Sequence, residues 1–160
     1  MKPGPSAKST TTGVSAVPPT SSPGPAERPR RPHSTPVQGV TWLNAPQGHD
    51  YPAAVSYVSL LAGPAQIRAL VVALKAAPVV QYKAKDILRA AGLPLLPVGD
   101  VEVAKDLAQI RAGEALSPCL LIRGNARKGR KAQIADGYHR VCAAYYTDED
   151  TDIPVKIVTL

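Results

Sequence analysis

The first 38 residues contain almost no side chain able to build a core. They are dominated by Pro, Ser, Thr, Gly and Ala, with Val14, Val17 and Val37 nearly the only larger apolar groups. Such a segment cannot bury enough apolar surface to offset its ordering entropy, so a disordered tail is expected there. Whatever folds must then be built from residues 39–160. The tail carries Lys2, Lys8, Arg28, Arg30 and Arg31 against Glu27 alone, more than half of the formal net charge of +7. The basic balance is therefore mostly a property of the tail and does not mark the folded part as a nucleic-acid binder. The cluster Arg28-Pro29-Arg30-Arg31-Pro32-His33 reads either as part of a soluble tether or as a contact for phosphates or a partner.

Residues 39–78 read as a helical extension that packs on the following domain or on another chain. Order is expected from about Pro52, with one short helix over Ala53–Leu61. A second helix opens at Pro64, where a missing N–H costs nothing, and carries the apolar stripe Ile67, Leu70, Val71 and Leu74. Residues 79–160 then read as a small domain. Val79–Tyr82 is a strand and Asp86–Ala91 a helix closed by Gly92. Leu93-Pro94-Leu95-Leu96-Pro97 is an extended connection, and Asp100 caps a helix with core face Val103, Leu107 and Ile110. Cys119–Ile122, an apolar run between Pro118 and Gly124, is a buried strand, with a polar hairpin loop over Gly124–Lys131. Ala132–Ala135 pairs back, Tyr138–Tyr146 is a helix and Ile153–Val158 a closing strand. Helices interrupt the strands without regular alternation, so the expected class is α+β, a small mixed sheet with packed helices.

The chain has no run of ~18 apolar residues to cross a membrane and no apolar N-terminal stretch of the secretory kind. Cys119 and Cys142 both lie among apolar neighbours and are too few for a disulfide framework. They are expected as buried structural thiols in a reducing cytoplasm.

The segment most suggestive of chemistry is Ile134-Ala135-Asp136-Gly137-Tyr138-His139-Arg140. A strand stops at Asp-Gly and a helix starts at once, leaving N–H groups without intrahelical acceptors at the positive end of the helix dipole. Gly137 would let a ligand approach the backbone. His139 and Arg140 place donors in the first turn, where the dipole disfavours a cation unless an anion sits there. A phosphate satisfies all of them. The alternative is that Arg140 pairs with a local carboxylate such as Asp136, and that His139 only packs. Apolar support for the segment is expected from Ile134, Val141 and Tyr145, so that changes at Gly137 and Arg140 should leave the fold intact.

From Val79 onward the chain resembles the ParB/sulfiredoxin superfamily. The resemblance rests on the helix Val101–Arg111, on Gly113-Glu114-Ala115-Leu116-Ser117-Pro118 with the strand after it, on Asp136-Gly137-Tyr138-His139-Arg140 with Ala143-Ala144, and on Ile153-Pro154-Val155. It implies a fold of that kind and a nucleotide-phosphate site at Asp136, Gly137, Tyr138, His139 and Arg140. A nucleoside di- or triphosphate with Mg2+ would be the ligand, and NTP hydrolysis or phosphoryl transfer the activity. Sulfiredoxins carry a cysteine where Tyr138 stands, so sulfinic-acid repair is not expected. ParB proteins carry Gly-Glu-Arg-Arg at the motif, where Tyr138-His139-Arg140 follows Gly137 here, so CTP-switch behaviour is not expected. The nearest pattern is the Asp-Gly-His-His-Arg type of ParB-like ATPase or nuclease proteins and of free-amino-acid kinases of this fold.

Phosphoryl transfer calls for an acidic group beside the phosphate. Asp86, Glu114, Asp136 and His139 are the candidates for acid–base or metal-ligating roles. Arg123, Arg127, Lys128, Arg130 and Lys131 crowd around the hairpin loop, either as a solvated loop or as an electrostatic arm for DNA. The alternative function is accordingly a DNA-associated binding or nuclease-like module. A homo-oligomer or partner protein could engage the helical extension. Asp148-Glu149-Asp150 and Asp152 lack calcium-loop spacing and read as a solvated turn.

Overall fold

The burial pattern of the central strands decides the architecture. A computed structural model of the chain describes residues 39–160; the expected disordered tail and its arginine cluster lie outside the described residues. The helices are α1 (Asp50–Val58), α2 (Pro64–Ala76), α3 (Ala84–Ala91), α4 (Val101–Arg111) and α5 (Tyr138–Thr147). The strands are β1 (Val80–Lys83), β2 (Cys119–Ile122), β3 (Gln133–Asp136) and β4 (Asp152–Val158), forming one sheet in the order β1-β4-β2-β3. β2 and β4 run parallel at its centre, while β1 pairs antiparallel with β4 and β3 with β2. The protein is α+β with a mixed sheet, as the irregular order of helices and strands in the sequence predicts.

Every residue of β2 is buried because both faces of the sheet are covered. Successive strand residues point to opposite faces. Cys119 and Leu121 pack with Ile134, Ile153 and Val155 against α3, α4 and α5. Leu120 and Ile122 pack with Ala135 against Ala54 and Val58 of α1 and Leu70 and Leu74 of α2. The helices α1 and α2 are thus the second helical layer of the domain. Of the two arrangements open for residues 39–78, packing on the domain is the one observed. Lys156 strengthens this layer: it is buried in β4, and its Nζ donates to the Lys75 carbonyl at 2.7 Å, placing a cation at the C-terminal end of α2.

Two boundaries differ from expectation. Helix α1 covers Asp50–Val58 rather than Ala53–Leu61, because an acidic first-turn residue suits the positive end of a helix and Leu60 and Leu61 turn outward before Gly63. Order also begins well before Pro52. Leu43 N donates to Leu116 O at 2.8 Å and Leu116 N to Thr41 O at 2.9 Å, strapping residues 41–43 alongside the approach to β2. That strap carries Gln47 and Asp50 to the N-terminal end of β2.

Candidate functional site

Helix α5 begins directly after β3, and its N-cap is Gly137 in a left-handed conformation (φ 101°). No side chain caps the helix, and Gly137 with the first-turn residues His139 and Arg140 borders a polar cleft of about 460 Å³. The cleft is lined by Asp136, Gly137, His139 and Arg140, and also by Asp50, Ser117 and residues of α4.

Arg140 is committed to carboxylates. Its Nη2 donates to Asp136, one helical turn back, and its Nη1 to Asp50 Oδ1 at 3.2 Å. The other Asp50 oxygen accepts from Ser117 Oγ at 2.5 Å and from Gln47 N at 2.7 Å. Burial alone would raise the Asp50 carboxyl, but the Ser117 hydroxyl, the Arg140 charge and the Gln47 amide together hold it below its usual range. Burial pushes Asp136 up against the pull of Arg140, and the Asp50 charge pushes it further. Of the two carboxyls, Asp50 therefore holds its charge to the lower pH. The local pairing of Arg140 with Asp136, one of the two alternatives open in the sequence, is the arrangement present.

The rest of the motif divides in two directions. Tyr138 turns away from the cleft, and its hydroxyl donates to the Pro94 carbonyl at 2.5 Å. Tyr146 similarly holds the Leu96 carbonyl at 2.8 Å, so the two tyrosines fasten the extended connection onto α5. His139 stays half-exposed at the cleft, with Nε2 at 3.9 Å from Asp100 Oδ1, the group that caps α4. Beneath Gly137 lies Cys119, fully buried, with Sγ at 3.6 Å from the Gly137 carbonyl. Burial pushes its thiol up to about 12, so it stays protonated at neutral pH and is no nucleophile. Cys142 is buried too, and its thiol is likewise raised by burial.

The other candidates lie apart. Asp86 sits on α3 and pairs with Arg89 at 2.7 Å, and it lines a different cleft. Glu114 is exposed after α4 and is not among the residues lining this cleft. Lys83 and Lys85 pair with Asp152 and Asp150 at 2.8 and 2.6 Å, so two carboxylates of the acidic turn are held by neighbouring lysines. Arg123, Arg127, Lys128, Arg130 and Lys131 are all exposed on the β2–β3 hairpin. Of these, Lys131 lies across Gly92, where an added Cβ would come within 2.5 Å of its Nζ, placing a cation at the C-terminal end of α3.

Sequence reading missed Asp50, Ser117 and Asp106. For Asp106 the signal was present: it falls between Val103 and Ile110 on the face of α4 whose other residues are apolar. It lines the cleft, and burial raises its carboxyl against the opposing pull of Arg140 and His139. A carboxyl raised in the folded state takes up its proton there before the unfolded chain does. Its charge therefore weakens the fold at neutral pH, and the penalty disappears as pH falls through its folded value. Asp106→Asn should melt above the parent at pH 7, with the difference shrinking as the pH is lowered toward 4. A difference that stays constant from pH 7 to 4 would show that Asp106 feels no such burial.

No family model, curated protein or solved structure matches the chain. Among the described residues, no helix is long and apolar enough to cross a membrane.

Proposed function

We propose that the cleft at the start of α5 binds the phosphates of a nucleotide, in a domain related to the ParB/sulfiredoxin superfamily and working in the cytoplasm. The observation that carries this reading is the junction at Gly137. A strand passes straight into a helix that no side chain caps, and Gly137, His139 and Arg140 at its start line a polar cleft together with Lys105. Arg140 takes the part of a positioning residue. Held by Asp50 and Asp136, it fixes the turn and offsets part of the carboxylate charge, while backbone N–H groups and His139 meet the anion.

Four carboxylates line the cleft, Asp50, Glu102, Asp106 and Asp136, against the cations Lys105 and Arg140. A bare polyphosphate would meet a net negative wall, and a magnesium complex suits it better. No group of three His, Cys, Asp or Glu side chains among the described residues is placed to hold a metal ion. Magnesium bound together with phosphates needs only one or two carboxylates. Asp106, whose neighbours act on it through charge and not through hydrogen bonds, is the residue that fits; Asp50 is saturated by Arg140, Ser117 and Gln47. The bound ion would neutralise phosphate charge, and the chain would supply orientation. Hydrolysis or phosphoryl transfer by such a site extends the same proposal.

Thermal shift with ATP, ADP, CTP and GTP, each with and without magnesium, tests it, since a ligand specific to the folded state raises its melting temperature. At least one nucleotide should stabilise the protein, and more strongly with magnesium. His139→Ala should weaken that nucleotide by about three- to tenfold, the loss of one hydrogen bond worth ~1 kcal/mol, without lowering the melting temperature of the unliganded protein. No shift with any nucleotide would overturn the reading.

The exposed hairpin cations favour a second reading, a DNA-associated module. Arg127 and Lys128 sit at its tip in a short 3-10 turn (Ala126–Lys128), where Asn125 caps Lys128 N at 3.1 Å. DNA affinity falling steeply with salt, and reduced by Arg127→Ala, would support it; nucleotide affinity should not respond to that change.

A further inference from the structure

A second cleft, of about 350 Å³, shares no lining residue with the first. Topology separates them. Gly137 follows the end of β3 that lies beside the start of β2, whereas Arg123 and Gly124 follow the far end of β2. The floor of the second cleft is apolar: Ile87 from α3, Leu121, Ile134 and Ile157 from the sheet. Arg123 and Arg130 stand on its hairpin side.

The hairpin is built to put those two arginines together. Asn125 N donates to Arg130 O at 2.8 Å and Arg130 N to Asn125 O at 2.9 Å, closing the two arms on each other. A Cβ at Gly124 would lie 2.6 Å from Ala132 N and 2.7 Å from Arg130 O, so only glycine permits this approach. Both arginines are exposed, and neither forms an ion pair with a carboxylate among the described residues. The acidic residue that shares the cleft, Asp86, is already held by Arg89.

Two guanidinium groups without a carboxylate partner among the described residues, beside an apolar floor, define the ligand chemistry. An inorganic anion would leave the floor unused, and a hydrocarbon would leave the arginines unused. Ligand sites of roughly 300–1,000 Å³ are commonly apolar cavities with a few oriented polar groups, and this cleft lies within that range. We propose that this cleft binds an amphipathic anion, a compact apolar ring or chain bearing one carboxylate, sulfonate or phosphate. The acidic group sits between Arg123 and Arg130, and the apolar body lies on Ile87, Leu121, Ile134 and Ile157. The proposal does not depend on the nucleotide reading of the first cleft.

The full chain can be titrated with anilinonaphthalenesulfonate and with its uncharged counterpart phenylnaphthylamine, following dye fluorescence and isoleucine methyl resonances. The sulfonate should bind saturably at one site, ten times or more tighter than the neutral dye. Its binding should shift the methyls of Ile87, Ile134 and Ile157 and leave Ile67 of α2 unmoved. Arg123→Ala with Arg130→Ala should abolish the preference for the sulfonate and leave the neutral dye unchanged. Equal affinities in the parent, methyl shifts outside these residues, or a preference surviving loss of both arginines would each overturn the proposal.

Discussion

Arg140→Ala should destabilise the protein by about 3–5 kcal/mol, the usual cost of leaving one partner of a buried ion pair behind. The carboxylate left most exposed to that cost is Asp50, whose side chain is 2% accessible and whose charge the folded protein maintains. Ser117 Oγ and Gln47 N would still bond it, but neither carries a countercharge. Since small domains are stable by only about 5–15 kcal/mol in total, the loss would be visible as an early denaturation midpoint. Arg140→Ala combined with Asp50→Asn should recover much of it. The amide can keep its contacts with Ser117 and Gln47 and brings no charge to compensate. Urea unfolding of the parent, both single variants and the double variant gives the coupling directly. Additive losses, or an Arg140→Ala protein as stable as the parent, would show that the trio is surface decoration. The sequence expectation that Arg140 could be removed without harm to the fold rested on Ile134, Val141 and Tyr145 alone. It took no account of a carboxylate 90 residues away.

What was legible in the sequence was short in range. Cys119–Ile122 could be read as a buried strand because Pro118 and Gly124 bound an unbroken apolar run, and β2 has those bounds. Asp100 before the stripe Val103, Leu107 and Ile110 placed α4, and the Asp100 side chain accepts from Glu102 N and Val103 N as a cap should. The Asp136–Arg140 pair was legible too, since Asp136 is the local carboxylate at the end of β3, only four residues before Arg140 in the first turn of α5. The strap of residues 41–43 on Leu116 was not, because a single bridge has no period to detect. With the strap went Asp50 and Ser117, which depend on it to meet. Tyr138 shows a different limit. Its position after Gly137 suggested a ligand contact, but chain position does not set the direction of a side chain. The hydroxyl instead reaches Pro94, 44 residues back.

Gly137→Ala should cost about 2–5 kcal/mol, from two sources that can be separated: roughly 1–2 for a left-handed residue with a Cβ and 1–3 for overpacking. The backbone part follows from φ of 101°, which glycine adopts freely and other residues rarely. The packing part follows from Cys119: a Cβ on residue 137 would lie 2.5 Å from its Sγ, inside any real contact distance. Cys119 cannot simply retreat, being fully buried in β2 between the two helical layers. Removing the sulfur should therefore relieve the clash and leave the backbone strain. In a Cys119→Ala background, Gly137→Ala should cost less, about 1–2 kcal/mol for the backbone plus what remains from the residue-119 Cβ at 3.0 Å and Arg140 Nη2 at 3.1 Å. The Cys119→Ala change by itself should be mildly destabilising through the cavity it leaves. Melting curves of the four proteins decide the matter. A Gly137→Ala cost that is unchanged by loss of the Cys119 sulfur would mean that the glycine serves the backbone only. A cost near zero would mean that the β3–α5 junction tolerates a side chain, and that the tight turn opening α5 onto the cleft is not what glycine is there to make.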